Sequence, residues 1–348
     1  GGTPDSKNED YWNGDIYWAT LVDLPANDHI SIITDTQRKI TQQGLKNSSA
    51  KIVPPDSVIV SSRATIGRVG INKVPLATNQ GFKNIVIKDR NSADTMFVAL
   101  MAKRLAPEME TLASGGTFKE ITKTNFSTLQ IPLPPLETQR QVVDEIAAYQ
   151  HIIAGARQVV KGWKPNLELE LAESLPEGVD EWETVKLGDV CTFEYGKSLK
   201  ADNRIEGEFP VYGSNGVVGY HNEYSVEAPF LVVGRKGSAG EVHYSDKNGF
   251  PIDTTFYIKL ENEDKVTLKF LFHTLANLDL QSVNTQAGVP GLNRNDAYRI
   301  NILLPPLEIQ REIVARIERE RAIVEGNREL IRLYEEKVKK VIERVWES

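Results

Sequence analysis

Residues 131–146 read IPLPPLETQRQVVDEI and residues 302–317 read ILLPPLEIQREIVARI, ten of sixteen positions being identical at a constant offset of 171. A match this close, at a period far longer than any solenoid repeat, marks a duplicated domain. Weaker similarity precedes it in the same order. Residues 62–69 (SRATIGRV) lie opposite 235–242 (RKGSAGEV), 79–82 (NQGF) opposite 253–256 (DTTF), and Gly115-Gly116 opposite Ala287-Gly288. The second copy opens with the strand-like WETVKLGDV at 182–190, whereas the sequence starts at Gly1, past the matching point of the first copy. The first domain is therefore expected to lack its opening strand.

Within each copy, short runs rich in Val and Ile at 51–60, 84–88, 229–233 and 256–260 are separated by turn residues, which predicts strands. Two stretches, 95–105 and 268–278, predict short helices. After Pro134-Pro135 and Pro305-Pro306 the pattern changes: a missing N–H costs nothing where a helix begins, and Glu137 and Glu308 sit where the macrodipole favours an acid. A heptad seam then runs from Ile313 through Ile317, Glu320, Val324, Asn327, Ile331, Tyr334, Val338 and Val341 to Val345. The first copy keeps the corresponding seam at Val142, Ile146, Ile153 and Val160 and stops near Gly162 and Pro165. A seam of this length is buried against something, either its own domain or the other helix. Two homologous seams favour mutual packing, with Asn327 as a register device or a contact to a partner helix.

The expected fold is α+β: two β-rich domains, each followed by a long helix, the two helices forming an antiparallel coiled coil with approximate two-fold symmetry. The boundaries are 1–134 for the first recognition domain, 135–163 for its helix, 164–181 for a linker, 182–304 for the second domain and 305–348 for the second helix.

Several function classes drop out on composition. A single cysteine among 348 residues excludes an internal disulfide framework and a thiolate metal cluster, and points to a reducing compartment. No apolar run is long enough to span a membrane and the first residues do not read as a signal peptide, so a cytoplasmic protein is expected. Catalytic motifs are missing too. Gly196-Lys197-Ser198 has Cys191 where a phosphate-binding loop needs its upstream glycine. None of the Pro-Pro pairs carries the flanking polar and aromatic residues of an amino-methyltransferase loop, and the five histidines show no metal-ligand spacing. The net charge of -7 sits awkwardly with nucleic-acid binding, and no segment is a basic tail. Basic groups would have to be gathered on one face of each domain, or a partner would have to supply phosphate contacts.

The doubled Leu-Pro-Pro-Leu-Glu-x-Gln-Arg element followed by a long helix resembles the specificity subunit of Type I restriction-modification enzymes. So does the opening Gly-Gly-Thr-Pro with Tyr11-Trp12-Asn13-Gly14-Asp15-Ile16 and Trp18. The resemblance covers essentially the whole chain. It implies a non-catalytic, sequence-specific DNA-binding subunit that recognises a bipartite target in double-stranded DNA and docks two methyltransferase subunits, with motor nuclease subunits joining for restriction. No cofactor is expected in this chain; S-adenosylmethionine, ATP and magnesium would belong to partners. A helix over 136–163 would span roughly 40 Å, on the order of 12 base pairs, near one turn of duplex. Two other readings remain: the recognition portion of a fused restriction-methyltransferase, and a scaffold that binds no DNA.

Base-edge readout needs Arg, Lys, Asn or Gln on presented loops. In the first domain the candidates are Arg38, Lys39, Gln43, Lys46, Arg63, Arg68, Asn79, Gln80, Lys119 and Lys123. In the second they are Lys197, Arg204, Asn215, Arg235, Lys236, Asn293 and Arg294. The repeated positions, Arg63 with Arg235 and Lys236, and Lys123 with Arg294, are the preferred ones.

Overall fold

The structure is a computed structural model that describes residues 1–26, 29–115, 119–281 and 291–347. The chain forms two compact units: Gly1–Gln158 with Asn327–Ser348, and Val159–Gly326. The Gly116 and Ala287-Gly288 correspondences lie outside the described residues.

In the first unit a four-stranded sheet runs in the order Ser31–Ile33, Val69–Asn72, Val58–Ser61, Phe82–Ile85. A three-stranded sheet has Trp12–Ala19 between Arg38–Ile40 and Leu76–Thr78. The run expected at 51–60 is strand only over Val58–Ser61, because Pro54, Pro55 and the left-handed Asp56 (φ 58°) break it. The expected helix is present at Thr95–Arg104, capped by Asp94, whose carboxylate accepts from Phe97 N at 2.9 Å. It packs Phe97 and Met101 against Val58, Val60 and Ile71, which places the core of the unit between helix and sheet.

The second unit repeats this plan. Its four-stranded sheet runs Val242–Ser245, Phe230–Gly234, Thr255–Leu260, Cys191–Tyr195, with Gly216–His221, Phe209–Gly213 and Phe250–Pro251 in a second sheet and the helix Leu268–Asn277 over the core. The two sheets differ at their edges. Among the described residues, Cys191–Tyr195 has no counterpart strand in the first unit and Ser31–Ile33 has none in the second. Thr184–Lys186 pairs with Asn301–Leu303, while the corresponding residues 130–132 of the first unit form no strand.

Both double prolines lead into helices, Leu136–Gly162 and Leu307–Glu347. In the first unit these helices pack antiparallel: Glu145 bonds Arg344 at 2.7 Å, Tyr149 meets Tyr334 edge-on at 5.3 Å, and Arg157 bonds Glu335 at 2.6 Å. Val142 and Ile146 share one apolar cluster with Val341 and Val345, so mutual packing of the two seams is correct there. Ile313 and Ile317 behave differently. They are fully buried in the body of the second unit beside Phe270 and Leu271, which corrects their assignment to helix pairing. The polar seam position Glu320 accepts from Trp163 Nε1 at 2.9 Å. Ile153 and Val324 are buried, and Val160, Asn327, Ile331 and Val338 are half-buried.

The segment expected as a linker carries the helix Leu167–Glu173. Leu167 and Leu171 are buried in the core of the second unit, and the Arg316 guanidinium holds the Glu170 carboxylate at 2.5 Å. Of the acidic residues that read as linker, Glu168 and Glu173 lie on the exposed side of this short amphipathic helix.

The one cysteine, Cys191, is fully buried, and burial, with Glu261 adding to it, pushes its thiol up to about 12. At pH 8 only about one molecule in ten thousand then carries the thiolate that reacts. An aromatic disulfide reagent is expected to label the native protein no faster than the second unit opens, with full labelling in denaturant. Stoichiometric labelling of the native chain within seconds would contradict this burial.

Candidate nucleic-acid interface

Each unit presents the same loop. In the first, Gly67 N donates to Ser61 O at 3.0 Å and Ser61 N to Arg68 O at 2.9 Å; in the second, Gly240 N donates to Gly234 O and Gly234 N to Glu241 O, both at 2.8 Å. Left-handed residues recur at equivalent places, Ala64 (φ 62°) with Gly237 (φ 75°) and Gly67 (φ 85°) with Gly240 (φ 84°). The tip of each loop is pinned to the turn ahead of the Leu-Pro-Pro element. Ile121 N donates to Ser62 O at 3.0 Å and Leu292 N to Arg235 O at 2.9 Å. Immediately afterwards Thr122 and Asn293 cap short helices that begin with Lys123 and Arg294. The expected equivalence of Lys123 and Arg294 is therefore structural.

Alignment by these bonds makes Arg63 the counterpart of Lys236 and Ser62 that of Arg235. It also shifts one stretch by a residue. Ser62 N donates to Gly81 O and Arg235 N to Thr254 O, so Gly81 matches Thr254 rather than Thr255.

In the second unit the candidates converge. The Arg235 guanidinium donates through Nε and Nη2 to Asp253 O at 3.1 and 2.7 Å. Its central carbon lies 5.2 Å from the Tyr195 ring centre, and that of Arg294 lies 4.9 Å from the same ring. Arg294 also reaches Phe193 O at 3.4 Å. Tyr195 thus holds two guanidinium groups while remaining 49% exposed, an arrangement worth about 0.5–1 kcal/mol per pair at such a site. Lys236 and Asn293 are exposed on the two pinned segments, and exposed Lys197 follows Tyr195 by two residues. Asn215 is exposed at the tip of a turn whose Ser214 hydroxyl donates to Thr254 O at 2.6 Å, which sets that turn beside Arg235. Arg204 is partly engaged elsewhere: Nη1 donates to Val218 O at 2.7 Å and Nε is buried, so it braces the Gly216–His221 strand.

In the first unit, Arg63 lies 3.9 Å from the Glu120 carboxylate, which Lys83 approaches to 3.4 Å. Lys119, whose carbonyl accepts from Ala64 N, and Lys123 are exposed beside them. The Asn79 side chain is spent locally, accepting from Gly81 N, and exposed Gln80 accepts from the Thr3 hydroxyl. Arg68 is turned partly inward: Nη1 donates to Leu24 O at 3.0 Å and Nε is buried. Arg38, Lys39, Gln43 and Lys46 form another group on Arg38–Ile40 and the helix Gln42–Lys46. There Arg38 stacks 3.7 Å from the centre of Trp12 and stays exposed, while Lys39 sits over Tyr17 and 3.6 Å from Asp35.

Two residue types were missed at the level of sequence. Tyr195 has no motif around it that singles it out. Gln139 and Gln310 stand inside the repeat itself. Gln139 accepts from Asp94 N and donates to Ser92 O and Pro134 O; Gln310 accepts from Thr267 N and donates to Lys265 O and Pro305 O. Each fully buried amide thereby fastens the start of a long helix to the cap of the core helix.

Two units on one plan, each with a basic hairpin tip fixed beside a capped turn and followed by a long pairing helix, define a duplicated recognition-domain protein. Residues 1–161 and 179–331 match the family described as Type I restriction modification DNA specificity domain, and the chain belongs to that family. The MjaIX specificity subunit of Methanocaldococcus jannaschii is 31% identical over 57% of this chain, and the match spans half of that relative's length. The EcoprrI specificity subunit of Escherichia coli is 23% identical over 92% of the chain and 84% of its own length. Among solved structures, a chain from a type I restriction-modification complex aligns over 98% of this chain and 94% of its own, with a TM-score of 0.63 and 19% identity. The S subunit of M. genitalium aligns over 97% and 94%, with a TM-score of 0.58 and 14% identity. These likenesses show the fold.

Proposed function

We propose that this chain is the non-catalytic specificity subunit of a Type I restriction-modification complex, each of its units reading one half of a split target in double-stranded DNA. The observation that carries the reading is the twice-built hairpin and turn, which present Arg63, Lys119 and Lys123 in one unit and Arg235, Lys236 and Arg294 in the other. Guanidinium forks on a presented loop suit bidentate contacts to guanine or phosphate. Two methyltransferase subunits dock on the chain, and motor nuclease subunits join them for restriction. S-adenosylmethionine, ATP and magnesium are bound by those partners. The acidic balance of -7 is then a property of surfaces turned away from DNA or covered by partners. Among the described residues no helix is long and apolar enough to cross a membrane.

Modified adenines should be mapped in cells carrying the methyltransferase subunit with and without this chain. Methylation at a two-part motif that depends on the chain is the expected result. Chain-dependent methylation without sequence preference would leave only the scaffold reading.

A further inference from the structure

The smaller sheet of the first unit carries an arginine whose donors the fold does not use. Arg38 opens the edge strand Arg38–Ile40 and is exposed, its central carbon 3.7 Å from the Trp12 ring centre and 5.2 Å from that of Trp18. The two indoles are themselves fixed. They meet edge-on at 5.0 Å, Trp12 Nε1 donates to Asp5 O at 3.1 Å, and Trp18 Nε1 donates to Gly2 O at 2.9 Å. Among the described residues the Arg38 guanidinium has neither an ion pair nor a hydrogen bond, so its five donors are unspent. Arg63, by contrast, faces Glu120, Arg235 gives two donors to Asp253 O, and Arg294 reaches Phe193 O. A guanidinium held against an aromatic face gives up little further freedom when it binds.

The arrangement is peculiar to the first unit. In both units the middle strand of this sheet, Trp12–Ala19 or Phe209–Gly213, has a parallel partner on one side and an antiparallel partner on the other, which makes Gly216–His221 the counterpart of Arg38–Ile40. Gly216–His221 reads GVVGYH and has neither Arg nor Lys. Arg38 also lies near enough to the hairpin tip to act with it. It is abreast of Trp18 and Ala77 across the sheet, and the Gly81 carbonyl, a short step along the chain from Ala77, accepts from Ser62 N. Two strand spacings, four residues of chain and one hydrogen-bonded pair add up to no more than roughly 30 Å, less than one turn of duplex.

We infer, resting on the reading of this chain as a DNA specificity subunit, that Arg38 is a specificity-determining residue: its fork takes the O6 and N7 acceptors of a guanine in the half-site read by the first unit. Guanine is the base that offers a guanidinium two acceptors side by side in the major groove. Phosphate offers a similar pair but carries no sequence information. Lys39, the neighbour of Arg38, sits over Tyr17 at 4.5 Å and 3.6 Å from Asp35, which offsets part of its charge. The edge therefore presents one oriented fork rather than a field of positive charge, and this favours a base edge over the phosphate backbone. The two half-sites are then read by unlike sets of side chains, with an edge-strand arginine in the first unit that has no equivalent in the second.

The test compares the unsubstituted chain, Arg38→Ala and Arg38→Lys, each assembled with its methyltransferase subunits, by the methylated motif and by duplex affinity. With Arg38→Ala one guanine of one half-site is expected to become degenerate while the other half-site is unchanged, and affinity for the full motif should fall roughly five- to 150-fold. Arg38→Lys should not restore the guanine, since an ammonium is a point donor. Duplex with 7-deazaguanine at that position lacks the N7 acceptor; it should bind the unsubstituted complex more weakly and Arg38→Ala no differently from guanine. If Arg38→Ala lowers the Tm, Arg38→Gln, which keeps a side chain over Trp12, reads the same position. A motif unchanged by these substitutions overturns the inference. So does a uniform weakening on all sequences that Arg38→Lys restores, with the salt slope of Arg38→Ala lowered by about one, because Arg38 would then hold a phosphate. Absence of any two-part motif for the unsubstituted complex would sink the specificity-subunit reading and this inference with it, whereas an unchanged motif sinks the role of Arg38 alone.

Discussion

Gln310→Met is expected to destabilise the second unit by about 3 kcal/mol, although the substitution nearly conserves volume. Methionine fills the space of the amide but leaves the Thr267 N–H and the Lys265 and Pro305 carbonyls without their partner. Each polar group stranded in a fully buried place costs about 1–3 kcal/mol, whereas one methylene of misfit costs less. The solitary buried cysteine supplies the readout. Cys191 shares a core with Ile313 and Phe270, so opening of the second unit sets its labelling rate, and 3 kcal/mol corresponds to roughly a hundredfold acceleration. Gln139→Met removes the same three bonds from the first unit and is expected to leave Cys191 labelling within about twofold while lowering the first unit's own stability. Equal labelling rates for Gln310→Met and the unsubstituted chain would show that the amide only fills space.

This clamp explains why the duplication was so legible in the sequence. The Leu-Pro-Pro-Leu-Glu-x-Gln-Arg element has a backbone task, starting a helix after two prolines, and a buried-amide task, meeting three main-chain groups; few residues satisfy both. The hairpin tips diverge because their shape is carried by main-chain bonds, which leave Ser62 and Arg235 free to differ at one position. The one-residue error in matching residues 79–82 arose there: Phe82 and Phe256 are alike in type but face opposite sides of their strands. Period-3.5 patterning marked the seam correctly but said nothing about which surface covers it. Ile313 and Ile317 therefore read as coiled-coil positions while packing on the body of their own unit. The helix Leu167–Glu173 was hidden for a related reason, since a two-turn amphipathic segment among Pro, Glu and Ser reads as linker until Leu167 and Leu171 are seen in a core.

For the candidate interface, composition pointed to neighbourhoods and could not rank their members. Arg68 and Arg204 follow closely on other candidates in their loops, but besides a bond to a main-chain carbonyl each has its Nε buried without a partner, which is true of neither Arg235 nor Arg294. An arginine with five donors braces a loop as readily as it reads a base, and the burial of its donors, which composition does not show, separates the two. Tyr195 went unnoticed because its contribution depends on Arg235 and Arg294 arriving from segments 40 and 99 residues away in the chain.

If the units read DNA as proposed, Arg235→Ala combined with Arg294→Ala should weaken specific duplex binding of the assembled complex by about 2–5 kcal/mol, roughly 30- to several-thousandfold. Arg63→Ala in the first unit should cost less, because the Glu120 carboxylate at 3.9 Å already offsets part of that charge. The dependence on salt distinguishes the two modes of contact: loss of a phosphate contact lowers the slope of log affinity against log salt by about one, while loss of a base contact leaves the slope and relaxes the motif. Tyr195→Leu removes the ring that both guanidinium groups flank and keeps the bulk, so it should reproduce part of the double substitution; Tyr195→Phe keeps the ring and should retain affinity within about threefold. An unchanged affinity and an unchanged methylated motif for the double variant, with Cys191 still protected, would remove this cluster from the DNA face. Recognition by the second unit would then fall to its other exposed candidates, Lys197, Asn215, Lys236 and Asn293.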